Sequence, residues 1–230
     1  MRLFARFLGF LFATGTIVFL LAAVAIATVV FYYSKDLPDT ATLQKYEPPV
    51  TTRAHSADGS ILAEYSHERR LFLPYTSIPP LVRQAFISAE DKNFFTHSGV
   101  DPEGVARAVM ILVEGNKHVQ GASTITQQVA KNFLVGNERS FDRKIREALI
   151  SFRIENAYSK EHILELYLNE IYLGLGNYGV AAAALNYFNK SVSELTIAEA
   201  AYLAALPKAP NNYHPFQHRE RALERLSLIH

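Results

Sequence analysis

The sequence predicts a mainly α-helical fold with a minor β element, preceded by one transmembrane helix. A long uncharged run opens the chain, apolar residues recur at helical spacing from Ile78 almost to the end, and strand-like patterns occur only within residues 57–75. The 230 residues suit one domain plus an appendage. The net charge of +1 gives no reason to expect nucleic acid as a partner, and the absence of cysteine excludes thiol catalysis, disulfides and thiolate metal sites.

Residues 1–35 are predicted to form a cytoplasmic tip and a transmembrane signal-anchor. No charged residue occurs from Phe7 to Tyr33, and as a helix this run would reach about 40 Å, enough for a hydrocarbon core of about 30 Å. Arg2 and Arg6 precede the run, which favours a single pass with a cytoplasmic N-terminus and the rest of the chain outside the cytoplasmic membrane. A cleaved signal peptide is the alternative, but its small-residue cleavage sites would lie inside the apolar run.

Residues 36–56 are predicted to be an extended stalk, because they contain several prolines and no helical pattern. The main folded domain is then expected to occupy residues 57–230. Asp58-Gly59 indicates a turn into a short strand, and residues 69–75 are the candidate partner strand.

Capping signals mark the helices that follow. Pro79-Pro80 and Asp101-Pro102 each place a proline at the first helical position. Three further candidate caps are Ser140, Ser159 and Thr196. Thr196 is followed three residues later by a glutamate, the spacing of a capping box. These signals predict roughly seven or eight helices after the anchor.

Two adjacent carboxylates, Glu90 and Asp91, lie at the end of an apolar helix. Partial desolvation there should raise the pKa of Glu90 toward neutrality, which suits a base that abstracts a hydroxyl proton. An exposed helix-end carboxylate is the alternative. Phe94 and His97 would add an aromatic wall and a hydrogen-bonding ring, an arrangement typical of a sugar site.

The stretch GASTITQQVAKNFL (121–134) indicates a helix start at Gly121 and Ser123, where free N–H groups could accept an anion. The neutral hydrogen-bonding residues that follow are Thr124, Gln127 and Gln128, and Lys131 lies on the same helical face. A polar helix face with a serine cap explains the stretch equally well.

Arg143 and Lys144 precede Glu147 by four and three residues, so the three side chains share one helical face. Such pairs usually belong to a solvated surface. As a functional cluster, the two cations would bind a diphosphate, with Glu147 orienting them or holding a divalent ion. His162 and Glu165 also have a metal-ligand spacing, but it occurs once and in the reverse of the order that bundle metal sites use, so we expect no metal site there.

Five stretches in order resemble the five sequence motifs of the peptidoglycan glycosyltransferases (glycosyltransferase family fifty-one), found in class A penicillin-binding proteins and monofunctional transglycosylases. They are EDKNFFTHSG (90–99), GASTITQQ (121–128), RKIRE (143–147), KEHILELYLN (160–169) and residues 203–215. The match covers residues 57–215. It implies a lysozyme-like helical domain, with glycan on undecaprenyl diphosphate as donor and lipid II as acceptor.

The resemblance also implies roles for individual residues. Glu90 would be the base that deprotonates the 4-hydroxyl of the acceptor, and Glu147 the second carboxylate. The cations that stabilise the leaving diphosphate would be Arg143, Lys144 and Lys131. The residues lining the donor side would be Ser123, Thr124, Gln127, Gln128 and Asn132. The residues shaping the cleft would be Asp91, Phe94, His97 and Lys160.

The resemblance further implies membrane lipid and other cell-wall synthesis proteins as partners, and a divalent cation (Mg²⁺ or Mn²⁺) beside the diphosphate as the one cofactor to consider. The alternatives are a lysozyme-like glycan-cleaving enzyme and a non-catalytic cell-wall scaffold. A cleaving enzyme needs an acid to protonate the glycosidic oxygen, whereas a diphosphate leaving group needs cations, so the basic cluster favours synthesis.

Class A penicillin-binding proteins continue into a transpeptidase domain with Ser-x-x-Lys and Lys-Thr-Gly motifs. Neither motif occurs in these 230 residues. The sequence ends in HRERALERLSLIH without a helix-ending signal. We therefore expect the chain to be the N-terminal part of a bifunctional protein.

Overall fold

The computed structural model describes residues 2–35, 37–45, 52–57, 61–65, 69–113, 123–135, 141–210 and 220–221. Within these ranges the helices are α1 (Arg2–Ser34), α2 (Pro80–Glu90), α3 (Pro102–Val113), α4 (Ile125–Ala130), α5 (Phe141–Ala157), α6 (Lys160–Glu170), α7 (Val180–Phe188) and α8 (Ile197–Ala205). The strands are β1 (Thr52–His55), β2 (Ile61–Tyr65), β3 (Arg69–Arg70) and β4 (Asn177–Tyr178). The mainly helical prediction, with a minor β element, is confirmed.

Helix α1 is long and apolar enough to cross a membrane. Its candidate span covers 26 residues, Gly9–Ser34, and none of that span is buried inside the molecule. At about 1.5 Å per residue the span measures about 39 Å. It is the one helix of this kind in the described part of the chain.

The helix starts follow the capping signals. Helix α2 begins directly after Pro79, and the carboxylate of Asp101 accepts a hydrogen bond from the backbone N–H of Glu103 at the start of α3. Ser159 caps α6, and Thr196 forms the predicted capping box at α8. The remaining candidate cap, Ser140, lies outside the described residues.

The core lies where α2, α4, α6 and α8 pack together. Its largest fully buried side chains include Phe86, Ile125 and Tyr167. On α6 the apolar side chains at 164 and 168 are fully buried, as their spacing predicts. This packing places the end of α2, the start of α4 and the first turns of α5 around one region of the domain.

The predicted strand pairing is wrong. Strand β2 pairs antiparallel with β1, and β3 pairs parallel with β4, more than a hundred residues further along the chain. The guanidinium of Arg70 bonds the carboxylate of Glu170 and lies 4.3 Å from the centre of the Tyr178 ring. A hairpin signal reads only neighbouring residues, so it does not detect this long-range pairing.

The segment between anchor and domain differs from the extended stalk that its prolines indicate. Residues Thr40–Lys45 form a 3₁₀ helix, and Leu43 is 2% exposed within the core. The hydroxyl of Tyr158, directly after α5, donates to the backbone oxygen of Thr40 at 2.6 Å. Burial of an apolar side chain from this segment favours docking over extension. The described part of the segment therefore packs against the domain.

Candidate active site

Glu90 is the last residue of α2 and is half-buried. Its Oε2 atom accepts a hydrogen bond from Nε2 of Gln128 on α4 at 2.9 Å. The backbone leaves helical geometry at the next residue, Asp91, with φ −156° and ψ 76°. The two adjacent carboxylates therefore have different surroundings, and Asp91 is buried.

The buried carboxylate of Asp91 fixes the start of α4. It accepts hydrogen bonds from Nε2 of His97 at 2.9 Å and from the backbone N–H of Ile125 at 2.9 Å. Nδ1 of His97 in turn accepts from the backbone N–H of Gly99 at 3.1 Å. Because Nδ1 is an acceptor, the ring proton lies on Nε2 and points at Asp91. Asp91 and His97 thus bond to each other and to backbone groups.

We expect the substitution Asp91→Asn to destabilise the fold. Both hydrogen bonds end on Oδ2, and Oδ1 lies 3.1 Å from the same His97 Nε2 atom. An asparagine oxygen in the Oδ2 position could still accept both bonds, but its NH₂ group would then face the His97 N–H donor. The reverse orientation of the amide would leave the Ile125 N–H facing a donor. A buried donor left unsatisfied costs about 1–3 kcal/mol. Circular dichroism melting of the full chain in detergent measures the loss. Asp101→Asn is the matched control, because asparagine caps a helix about as well as aspartate. Equal melting of the two variants would contradict the role given to Asp91.

The cap of α4 is Thr124, one residue later than the predicted Ser123, and Gly121 lies outside the described residues. The Thr124 hydroxyl accepts from the backbone N–H of Gln127 and donates to the Gly99 oxygen at 2.6 Å. The Gln127 side-chain oxygen accepts from the Thr124 backbone N–H, which completes a capping box. Both side chains are buried. Thr124 and Gln127 were predicted to line the donor side, but these hydrogen bonds join them to other groups of the protein.

Gly99 lets the loop after α2 pack closely on α5. Its φ of +104° is a left-handed conformation, and a Cβ atom there would lie 2.9 Å from the backbone carbonyl carbon of Ser151. The loop that carries Asp91 and His97 therefore packs against both α4 and α5.

The predicted basic cluster is present in the first turns of α5. The guanidinium of Arg143 bonds Oε1 of Glu147, and Nζ of Lys144 donates to Oε2 at 2.9 Å. Nζ of Lys144 also donates to the Ser123 hydroxyl at 2.7 Å. The Glu147 side chain is 3% exposed and that of Lys144 is 45% exposed. Glu147 is thus a buried residue that orients two cations, and the Lys144 ammonium remains accessible to a ligand.

Helix α4 joins Glu90 to this cluster. Ser123, directly before the cap of α4, contacts Lys144, and Gln128 within α4 contacts Glu90. From its cap Thr124 to Gln128, α4 rises about 6 Å. The half-buried acid and the basic cluster are therefore linked through the first turn of one short helix, which brings the first three predicted motifs together.

Phe94 and Lys160 connect the loop to α6. Phe94 is fully buried, and the Lys160 ammonium lies 4.6 Å from the centre of its ring. Nζ of Lys160 also donates to the His97 backbone oxygen and to Glu155, each at 2.7 Å. The aromatic side chain at the surface of this loop is that of Phe95, 52% exposed, which the sequence analysis did not select. Of two consecutive residues in such a loop, spacing alone does not indicate which one is exposed.

Lys131 and Asn132 begin a π-helical segment, Lys131–Val135, that continues α4 beyond Gln128. Lys131 is half-buried and Asn132 is exposed.

Nδ1 of His162 lies 3.4 Å from Oε1 of Glu165, and the described residues hold no group of three or more side chains suited to a metal ion. Most of the fifth stretch, from residue 211 onward, lies outside the described residues.

Tyr167 is a site neighbour that the sequence analysis missed. Its side chain is buried on α6, and the hydroxyl has no hydrogen-bond partner among the described residues. Burial and the negative charges of Glu90 and Asp91 raise the pKa of Tyr167 well above its usual value. The charges of both carboxylates therefore disfavour ionisation of the phenol. A tyrosine within the core-facing stripe of α6 was the available signal.

Comparison with known proteins identifies relatives of this sequence. The sequence model of the transglycosylase family matches residues 58–230. Penicillin-binding protein 1A of Rickettsia bellii (strain RML369-C) is 51% identical over 216 residues, which cover 93% of this chain and 27% of that protein. Penicillin-binding protein 1A of Aquifex aeolicus (strain VF5) is 44% identical over 215 residues, which cover 94% of this chain and 29% of that protein. This chain spans less than a third of the length of these relatives.

One solved structure also matches, the crystal structure of penicillin-binding protein 1A from Haemophilus influenzae. It is 28% identical with a TM-score of 0.44, and the match covers 80% of this chain and 18% of that chain. A score of this size does not establish a shared arrangement of helices.

Proposed function

The chain belongs to the transglycosylase family, and we propose on that basis that it polymerises the glycan chains of peptidoglycan. The donor is a growing glycan on undecaprenyl diphosphate, and the acceptor is lipid II. The observation that carries the proposal is the pairing of a half-buried acid, Glu90, with the basic cluster of Arg143, Lys144 and Glu147 through α4.

In the proposed reaction, the 4-hydroxyl oxygen of lipid II attacks C1 of the donor sugar. Glu90 takes the hydroxyl proton while the new C1–O bond forms. The bond between C1 and the diphosphate oxygen breaks, and its electron pair leaves with undecaprenyl diphosphate. Gln128 holds the Glu90 carboxylate through its amide N–H.

The leaving diphosphate needs positive charge rather than a proton donor. Lys144 is accessible and Arg143 is 18% exposed, so both can meet phosphate oxygens at the surface of the cluster. Glu147 bonds both cations and so fixes their geometry before substrate binds. A glycan-cleaving enzyme would need a carboxylic acid beside the glycosidic oxygen instead. The arrangement therefore favours synthesis.

We include the membrane in the proposal. Helix α1 would anchor the chain in the cell inner membrane, with Arg2 and Arg6 on the cytoplasmic side and the domain in the periplasm. Both proposed substrates carry polyprenyl tails, so an anchored domain meets them at the bilayer surface. Other cell-wall synthesis proteins are the partners that the family resemblance implies.

We propose that a divalent ion, Mg²⁺ or Mn²⁺, binds together with the diphosphate of the substrate. Mg²⁺ is usually bound by one or two carboxylates together with substrate phosphates. Glu147 is the one cluster carboxylate for it, but both of its oxygens are bonded to Arg143 and Lys144. The donor set of the chain alone therefore fits a resident ion poorly.

A chelator is accordingly expected to slow polymerisation without abolishing it, because the cations of Arg143 and Lys144 bind phosphate oxygens without the ion. Initial rates on lipid II with and without the chelator measure the effect. Complete loss of activity that added Mg²⁺ restores would contradict this expectation and make the ion indispensable.

Two substrates separate the proposed function from its closest rival. The full chain in detergent is supplied either with lipid II or with isolated cell-wall sacculi. Synthesis predicts polymer from lipid II and no soluble fragments from the sacculi. Soluble fragments from sacculi, with lipid II left unconsumed, would overturn the proposal in favour of glycan cleavage.

A further inference from the structure

The C-terminal end of α1 contacts α5, the helix that carries the basic cluster. The hydroxyl of Tyr33 donates to Oδ1 of Asp142 at 2.5 Å, and Nη2 of Arg153 donates to the backbone oxygen of Ser34 at 3.3 Å. Asp142 and Arg153 are eleven residues apart, about three helical turns, so they lie on one face of α5. The last two residues of α1 therefore contact this face of α5 at two places.

This contact lies at the C-terminal end of the apolar span of α1. Tyr33 is the second-last residue of the candidate span Gly9–Ser34, a position where tyrosine side chains commonly mark the membrane–water interface. Lys144 follows Asp142 by two residues, about 3 Å along α5. Lys144 thus lies within one helical turn of the residue that Tyr33 contacts.

The first turn of α5 is contacted from two sides. Ser123, at the entry to α4, bonds Lys144 on one side. Tyr33, at the exit of α1, bonds Asp142 on the other. Both contacts thus help to hold the first turn of α5 in place.

We propose that the hydrogen bond between Tyr33 and Asp142 is a positioning contact, which sets the height and orientation of Lys144 relative to the bilayer. The inference rests on the proposed function and adds to it a role for the anchor in catalysis. Tyr33 and Asp142 are positioning residues, because they act through Lys144 and touch no reacting atom. Small displacements of groups that bind a leaving group reduce rate strongly.

The test uses the full chain in liposomes with lipid II and compares Tyr33→Phe, Asp142→Ala and the double variant with the parent. Tyr32→Phe is the matched control, because Tyr32 is 68% exposed and loses only a hydroxyl that no described contact uses. Rates at saturating and limiting lipid II separate kcat from KM, and circular dichroism melting reports stability.

We expect each single variant to lower kcat about tenfold with melting unchanged, since a positional error costs rate rather than fold. The double variant should lose no more than the worse single variant, because both remove the same contact. Tyr32→Phe should match the parent.

Two kinetic outcomes would overturn the inference but not the proposed function: parent-like kcat in Tyr33→Phe, or losses that multiply in the double variant. A parent that fails to consume lipid II would instead remove the proposed function, and this inference with it. A loss of kcat that comes with a lower melting temperature would show that the contact is merely structural, and this result would also overturn the inference.

Discussion

Replacement of Glu90 by glutamine is expected to lower the rate of lipid II polymerisation by about 100- to 10,000-fold, the usual contribution of a positioned general base. Glutamine has nearly the same shape and its side-chain oxygen can still accept from Gln128, whose Nε2 lies 2.9 Å from Glu90 in the parent. It cannot take up the hydroxyl proton. We therefore expect the loss in kcat, with KM and melting little changed.

Glu161→Gln provides the control for this change, because Glu161 is an exposed carboxylate in the first turn of α6. Initial rates on labelled lipid II compare the three proteins. A Glu90→Gln variant that polymerises like the Glu161→Gln variant would show that another group removes the proton.

Replacement of Lys144 by glutamine should have the second largest effect, a loss of about 100- to 1,000-fold, as for other groups that stabilise charge developing in a transition state. Two consequences combine. The leaving diphosphate loses its most accessible cation, and Glu147 loses the ammonium that lies 2.9 Å from its Oε2 atom. Lys144→Arg keeps the charge and should recover part of the rate.

Lys190→Gln is the matched control, because Lys190 also pairs with a glutamate, at 2.7 Å from Oε1 of Glu199, but on another part of the domain. Surface pairs of this kind contribute little to stability, so this variant should keep its rate and nearly all of its stability. Similar polymerisation rates in Lys144→Gln and Lys190→Gln would remove the diphosphate-binding role from the basic cluster.

The helical part of the fold could be predicted from the sequence because its signals are local. Proline at the start of α2, the serine cap of α6 and the capping box at Thr196 each act over three or four residues. The pairing of β3 with β4 could not be predicted, because its partners meet only after the intervening helices have packed. The docking of Leu43 into the core was missed for the same reason.

The sequence predicted which residues come together at the candidate site better than it predicted what each side chain does there. Spacing places Arg143, Lys144 and Glu147 on one face of a helix, and the structure brings them together. Spacing does not indicate which polar side chains turn inward. Thr124 and Gln127 look like ligands for a sugar, yet both are buried in a capping box. The catalytic and binding roles of the site residues stay predictions until the variants above are measured.

The two carboxylates at the end of α2 illustrate how local geometry divides neighbouring residues. The helix ends at Glu90, so the backbone turns and sends the next carboxylate into the interior. Asp91 then stabilises the start of α4, and Glu90 stays half-buried beside Gln128. A base needs this intermediate environment, because full exposure would leave it weak and full burial would leave it out of reach.

The most direct measurement counts the undecaprenyl diphosphate released for each sugar linkage formed when parent and Glu90→Gln receive the same labelled lipid II. Attack by the acceptor hydroxyl on a diphosphate-activated sugar predicts one lipid diphosphate per linkage from the parent, in strands of many disaccharides, and almost none of either from the variant. Intact lipid II in the parent reaction, or equal release by both proteins, would contradict it.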